Sequence, residues 1–468
     1  MDLPEDIESQ KKEILKGSYS HAELLDEYFE RIEKYDTNIN SFICVLKESA
    51  YKQAKYCDKL ISQLGNEAYN KYPLLGVVTS LKDLFSVKDV RTTAGSKLLS
   101  NYYSPYDATV VSKLKYAGII LIGKTNCDAW AHGSSGENSD FGTTKNPWNY
   151  KFVSGGSSSG SSASLASNFC LISTGTDTGG SIRLPANFCG IVGMKPSYGA
   201  VSRYGIIAMA SSFDCVGHFS NNVTDSEKIF NIIKGKDKYD ATTTDVNRVV
   251  TKDRYTLGVP KDYFQKGLDK EIKDELKRVI DIFEKNKFNL KEIDLPLSKY
   301  AISVYYIIQP AEVSSNLARY DGIRYGFDRS YFGSEAKRRI MLGTYSLSAG
   351  YYKKFYIKAL KVKSKISEEL KKQFSDIDAI ISPVSPTLPF KIGEKINDPL
   401  KMYLADIFTV AANISGIPGL AIPSNISSGG LPMGFQILAD KYKDEMLFDI
   451  GKKFEIFNNS KIIKPKLI

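Results

Sequence analysis

From Ser20 onward, segments whose apolar residues recur at helical spacing alternate with short runs that are apolar throughout. Leu24, Leu25, Tyr28, Phe29 and Ile32 share one helical face, and Ser20-His-Ala-Glu23 before them is a capping box whose hydroxyl and carboxylate satisfy orphan N–H groups. His21, in that first turn, is expected to face solvent. A second helical stretch runs near residues 49–64, and residues 74–81 predict a buried strand ending at Lys82-Asp83. Asp107 is expected to cap a helix through Val110, Val111 and Leu114 that stops at Gly118, and residues 119–122 predict the next strand. The alternation continues through Cys170, so the first half reads as α/β with a mixed or parallel core.

Beyond it, residues 237–253 are polar and rich in Thr, Asp and Lys, which predicts a surface connection. A strand follows at 256–259, then a helix carrying Ile272, Leu276, Val279, Ile280 and Phe283 on one face. Residues 300–373 read as helical and tyrosine-rich, and prolines at 383, 386 and 418 punctuate a return to strands at Ile380 and Leu420. No internal repeat is evident.

Composition adds bounds. The 468 residues are 42% hydrophobic and 25% charged, enough for a large core. Length alone suggests about three domains and equally allows one. The N-terminal MDLPEDIESQKKE has neither a basic nor an apolar signal region, and no run is long and apolar enough to span a membrane. A cytoplasmic protein without a membrane association is therefore expected. The six cysteines form no C-x-x-C pair and several sit in apolar runs, so they read as reduced core residues, with no metal ligand set. A net charge of +10 is modest for this length, and the basic residues are scattered along helices as solvated faces would be.

The chemistry concentrates between Gly155 and Gly193, where Ser157 and Ser181 each follow a glycine pair. Glycine lets the backbone turn through positive φ and bring its N–H groups close to a ligand. Thr176-Asp-Thr-Gly-Gly-Ser181 follows an apolar run, and a strand entering a tight turn with consecutive free N–H groups is what an oxyanion hole needs. A flexible Gly/Ser linker is the alternative, against which the apolar flanks argue. A serine nucleophile needs a base. Only His21, His132 and His218 are histidines. Lys82, emerging from a buried strand, is the other candidate, because burial moves an ammonium pKa toward neutrality. The plain alternative is a lysine snorkelling from a strand end.

Taken together, GGSSSGSS around Ser157, TDTGGSIRLPA around Ser181 and Leu81-Lys82-Asp83 resemble the amidase signature family. The two serines stand 24 residues apart, as in that family. Gly123-Lys-Thr-Asn126, Gly133-Ser-Ser-Gly-Glu-Asn138, Asn146-Pro-Trp148, Lys195-Pro-Ser-Tyr-Gly199 and Lys337-Arg-Arg-Ile-Met-Leu-Gly343 resemble one branch of it, the A subunits of bacterial aspartyl/glutamyl-tRNA amidotransferases, from about residue 10 to 455. The resemblance implies one large amidase-signature domain over 1–468, with a mixed central sheet covered by helices on both faces. Its catalytic core would span about 70–235 and its substrate-pocket region about 255–455.

It further implies that Ser181 is the acyl-forming nucleophile, Ser157 the bridge following a cis peptide, and Lys82 the base. The backbone amides of Thr178, Gly179, Gly180 and Ser181 would receive the oxyanion. Glutamine would be the substrate, held by Arg339 and Asp406 through its α-carboxylate and α-ammonium, with Tyr306 as a further contact. This chain would carry no cofactor. ATP and Mg would be used on a partner chain, the B subunit of a heterotrimer that the C subunit completes, and tRNA would be reached mainly through that B subunit. Ser159 departs from the family pattern, which usually has glycine there, and a requirement for positive φ at that position would make serine costly. Cys127 and His132 are assigned no role.

Gly118-Ile-Ile-Leu-Ile-Gly-Lys-Thr125 satisfies the phosphate-loop pattern, but its middle residues are themselves a predicted strand, which argues against a nucleotide site. The competing readings are a stand-alone amidase of small amides, which would lack the Arg339 and Asp406 pocket, a non-catalytic scaffold, and direct tRNA binding by this chain. Intact Lys82, Ser157 and Ser181 argue against the scaffold.

Overall fold

The computed structural model describes residues 3–246, 251–264, 267–323 and 326–468. Its centre is one mixed sheet, whose strands run in the spatial order Phe42–Val45, Ile120–Thr125, Val78–Lys82, Ile172–Asp177, Cys215–Ser220, Val192–Lys195, Gly419–Ile426, Pro432–Ala439, Ala379–Pro383, Thr256–Pro260, Asn289–Ile293. Val78–Lys82 is parallel to both its neighbours, and Thr256–Pro260 likewise. The remaining pairs are antiparallel.

Helices cover both faces, and the strand sequences show why. Ile120 and Ile122 pack into one apolar cluster with Leu24, Leu25 and Phe29 of helix His21–Ile39, whereas Leu121 packs into the opposite one with Val110, Val111 and Leu114 of helix Thr109–Tyr116. A two-residue period with both sets buried yields a strand that is apolar throughout. A third cluster joins helices Ala301–Asn316, Lys358–Gln373 and Val410–Ser415 to Ile380 and Leu438 of the sheet.

The capping box is present, with Ser20 Oγ accepting from the Glu23 amide and the Glu23 carboxylate from that of Ser20. Two local expectations are corrected. His21 is fully buried, with Nδ1 2.7 Å from Asp58 Oδ1, and its ring fills the space above Gly76, where a Cβ would lie 2.0 Å away. Asp107 does not cap its helix: Ala108 is the N-cap, and the Asp107 carboxylate accepts from the Lys88 amide and Lys115 Nζ. In the phosphate-loop look-alike, Lys124 lies within the strand Ile120–Thr125, fully buried, and donates to Asp83 Oδ1 at 2.8 Å. It is a structural ion pair. The polar stretch 237–253 is partly described, and residues 247–250 lie outside the described ones. All six cysteines are free thiols.

Candidate active site

Lys82 ends the strand Val78–Lys82, beside its parallel neighbour Ile172–Asp177. Parallel strands bring their carboxyl ends to one edge, where open α/β sheets place their ligands. The Lys82 side chain is fully buried, with Nζ 2.8 Å from Ser157 Oγ and 2.9 Å from both Ser158 Oγ and Thr176 Oγ1. Hydroxyls can accept from an ammonium or donate to a neutral amine, so this cradle fits either state. Burial lowers the Lys82 pKa to about 8, against the raising influence of Cys127, Asp128, Asp177 and Asp214.

Ser157 and Ser158 immediately precede helix Ser159–Ala166, and the Gly156–Ser157 peptide is cis. Position 156 tolerates only glycine, because a Cβ there would lie 2.0 Å from Asp128 Oδ2. Asp128 organises this turn: its amide donates to the Ser157 carbonyl, and its carboxylate accepts from the Gly136 and Asn138 amides at 3.1 and 2.9 Å. Burial pushes its pKa up to about 7. Ser159 opens the helix and is absent from the positive-φ positions, so serine meets no left-handed penalty.

Ser181 is 9% exposed while Lys82 and Ser157 are 0% exposed, so among the three it alone retains access from outside. Its carbonyl accepts from the Ser158 amide at 3.3 Å, which sets the two serine-bearing segments side by side. Asp177 holds the intervening turn. Its carboxylate accepts from the amides of Gly180, Ile182 and Arg183, from Arg183 Nε and Nη2 at 3.1 Å each, and from Asn413 Nδ2. Burial alone would raise its pKa, but the Arg183 guanidinium outweighs that and holds it at about 2. Gly180 has φ 135°, and a Cβ on it would meet Thr409 Oγ1 at 2.3 Å. Its amide donates to Asp177 Oδ1 at 2.8 Å, so one of the four expected oxyanion donors also holds the turn to Asp177.

The expected pocket residues converge. Arg339, on helix Ser334–Leu347, is 3% exposed and donates through Nε to Glu335 Oε1 and through Nη1 to Gln309 Oε1. Its guanidinium lies over the Tyr306 ring, 5.2 Å from the centroid. Tyr306 Oη and Ser134 Oγ both donate to Asp406 Oδ2, at 3.1 and 2.7 Å. Burial raises the Asp406 pKa to about 7, opposed by those two donors and by Arg339. Tyr305 does not join this ring; it packs over the loop, where a Cβ on Gly179 would lie 2.7 Å from its ring. A cation and an anion are thus bridged by one tyrosine, and Thr409 Oγ1, bonded to the carbonyls of both Asp406 and Gly179, ties the anionic end to the Gly179-Gly180-Ser181 turn.

None of the three histidines bonds to Ser157 or Ser181 among the described residues. His218 Nε2 pairs with Ser226 Oγ and burial lowers its pKa to about 3, and burial together with the Arg339 charge lowers that of His132. The sequence reading missed Ser158, Thr176, Asp128, Asp177 and Ser134 as parts of the site. Asp177 lay inside the matching TDTGGS block and Ser134 inside Gly133-Ser-Ser-Gly, so both could have been found there.

A buried lysine bonded to one serine hydroxyl beside a second serine on a glycine turn, set on a large mixed sheet, defines an amide-cleaving enzyme class. Residues 23–448 match the Amidase family, and the chain belongs to it. It is 44% identical to the A subunit of glutamyl-tRNA(Gln) amidotransferase from Carboxydothermus hydrogenoformans, covering 97% of this chain and 98% of that protein. The crystal structure of the corresponding A subunit from Thermotoga maritima superposes with a TM-score of 0.81 at 36% identity, over 97% of each chain. The 6-aminohexanoate cyclic dimer hydrolase, 22% identical, shares the fold with a TM-score of 0.87.

Proposed function

We propose that this chain is the glutamine-hydrolysing A subunit of a glutamyl-tRNA(Gln) amidotransferase. The observation that carries the reading is the pairing of Arg339 and Asp406 across Tyr306, with Thr409 tying the Asp406 end to the turn before Ser181, because an amino-acid amide presents one carboxylate and one ammonium to be held apart. The near full-length likeness to A subunits of that enzyme supports it.

In this mechanism neutral Lys82 takes the Ser157 proton as Ser157 takes that of Ser181, and Ser181 Oγ bonds to the glutamine side-chain carbonyl carbon. The oxyanion meets the backbone amides of the turn at 178–181. Collapse breaks the C–N bond, and the Lys82 proton returns through Ser157 to the nitrogen, releasing ammonia. Water, activated by the same relay, then cleaves the glutamyl ester and restores Ser181. The ammonia is consumed on a partner chain, the B subunit, where ATP and Mg activate the tRNA-borne glutamate, in a heterotrimer that the C subunit completes. Binding of tRNA falls mainly to the B subunit, and the assembly is cytoplasmic. This chain itself holds no cofactor. Among the described residues no helix is long and apolar enough to cross a membrane.

The test is glutamate release from glutamine by the full chain, alone and with the B and C subunits, ATP and glutamyl-tRNA, with Ser181→Ala as the blank. Release that rises in the complex and vanishes in the blank is expected. Partner-independent hydrolysis of other amides with poor use of glutamine would replace the reading with a stand-alone amidase.

The pH dependence follows from Lys82. Its free-base form takes the proton, and its pKa lies at about 8, so kcat/KM rises with pH through that value until loss of the substrate's α-ammonium proton turns it down again. On the acid side the rate falls about tenfold per pH unit. Initial rates between about pH 6 and 10 at constant ionic strength check this. A profile flat through the Lys82 pKa would remove Lys82 as the base.

A further inference from the structure

Gln309 lies one helical turn after Tyr306 on helix Ala301–Asn316 and is fully buried. Its Oε1 accepts from Arg339 Nη1 at 2.7 Å. Arginine has only donors, so the amide orientation is fixed by chemistry: the oxygen faces the guanidinium and Nε2 is the outward atom of the pair. That Nε2 has no hydrogen-bond partner among the described residues. A buried donor left unpaired is costly, and native interiors rarely keep one without use. It shares its amide carbon with an oxygen in contact with the guanidinium, so it sits on the flank of that cation.

A second observation points the same way. His132, also buried, has both ring nitrogens unpartnered among the described residues. It stands two residues before Ser134, whose hydroxyl bonds Asp406. Unused polar atoms on two separate segments therefore border the pocket that Arg339 and Asp406 define. Asp406 with Ser134 and Tyr306 makes the anionic end. Arg339, with Nε engaged by Glu335 and one Nη1 hydrogen by Gln309, makes the cationic end, and the Gln309 amide lies directly beside it.

We propose that Gln309 is a specificity-determining residue whose Nε2 donates, beside Arg339, to the α-carboxylate of the amino-acid amide substrate. This rests on the reading of glutamine as substrate. Gln309 is a binding residue, distant from the bond broken, so its contribution is the same in the ground and transition states.

The test is Gln309→Glu in the full chain assembled with its partner subunits. Glutamate is nearly isosteric and keeps an acceptor for Arg339, but it replaces the donor with negative charge facing the substrate carboxylate. The readout is the ratio of kcat/KM for glutamine to that for glutamine α-amide, whose carboxylate is replaced by a neutral carboxamide. The ratio is expected to fall about tenfold or more, through KM for glutamine with kcat little changed. Gln309→Met, which removes the donor without adding charge, should lower it in the same direction and stands in if the glutamate variant does not fold. An unchanged ratio in a folded variant, or a loss shared equally by both substrates, overturns the proposal and leaves Gln309 as a support for Arg339 alone. Failure of the unsubstituted complex to use glutamine at all would instead sink the functional reading, and this inference with it.

Discussion

Lys82→Arg should leave the fold in place and lower glutamine hydrolysis by about a thousandfold or more, the scale of losing a general base in the reacting step. The loss comes from proton transfer before size. Arginine keeps the positive charge and can donate to hydroxyls, but its pKa lies too high for it to enter the cycle neutral. The native lysine is tuned the other way, with burial drawing its pKa to about 8. Its contacts are Ser157, Ser158 and Thr176, neutral hydroxyls that leave the free base tolerable in the interior. Single-turnover rates with glutamine, alongside melting temperatures, separate lost chemistry from lost folding. Lys82→Met provides the uncharged comparison and should be equally inactive. An arginine variant that kept even a tenth of the native rate would exclude Lys82 as the proton acceptor.

How much of this site was legible in the sequence depends on the range over which each contact acts. The strand carrying Lys82 and the turn before Ser181 are local, the first marked by an apolar run and the second by a glycine pair. The cradle of Lys82 was not, because Ser158 and Thr176 reach it across 76 and 94 residues, and a run of six hydroxyl residues among eight does not say which one faces a lysine. Asp128 was invisible for a related reason: its role is to pin backbone amides at Gly136 and Asn138, and an isolated aspartate carries no spacing signature. The Asp107 cap failed because the carboxylate had better partners in the Lys88 amide and Lys115. The exposure of His21 failed because a glycine distant in sequence, Gly76, leaves room for its ring. Periodicity locates faces. It does not reveal what a fold brings against them.

The second large effect concerns the support of the turn that carries Ser181. Arg183→Met should destabilise the protein by about 3–5 kcal/mol, the usual cost of breaking a buried ion pair from one side. Arg183 is fully buried and donates to Asp177, Gln436, the Thr409 carbonyl and Asn413, so its loss strands one carboxylate and three further acceptors. Methionine fills much of the volume and supplies no donor, which isolates the electrostatic loss from a cavity. Because Asp177 also accepts from the Gly180 and Ile182 amides, the same substitution should loosen the turn that carries Ser181 and lower kcat together with stability. The acid side gives an independent sign. A carboxyl held at about 2 contributes stability that is present above its unfolded value near 3.8 and lost as the pH falls toward its folded one. That acid-labile increment should be present in the native protein and absent from Arg183→Met. Urea unfolding at several pH values measures both quantities. Adding Asp177→Asn to Arg183→Met tests the coupling, because the neutral amide removes the stranded charge. The double variant should therefore lose less than the sum of the single ones. Simple additivity would show that the two residues act separately, and the turn would then owe its shape to its glycines and to Thr409 and not to the ion pair.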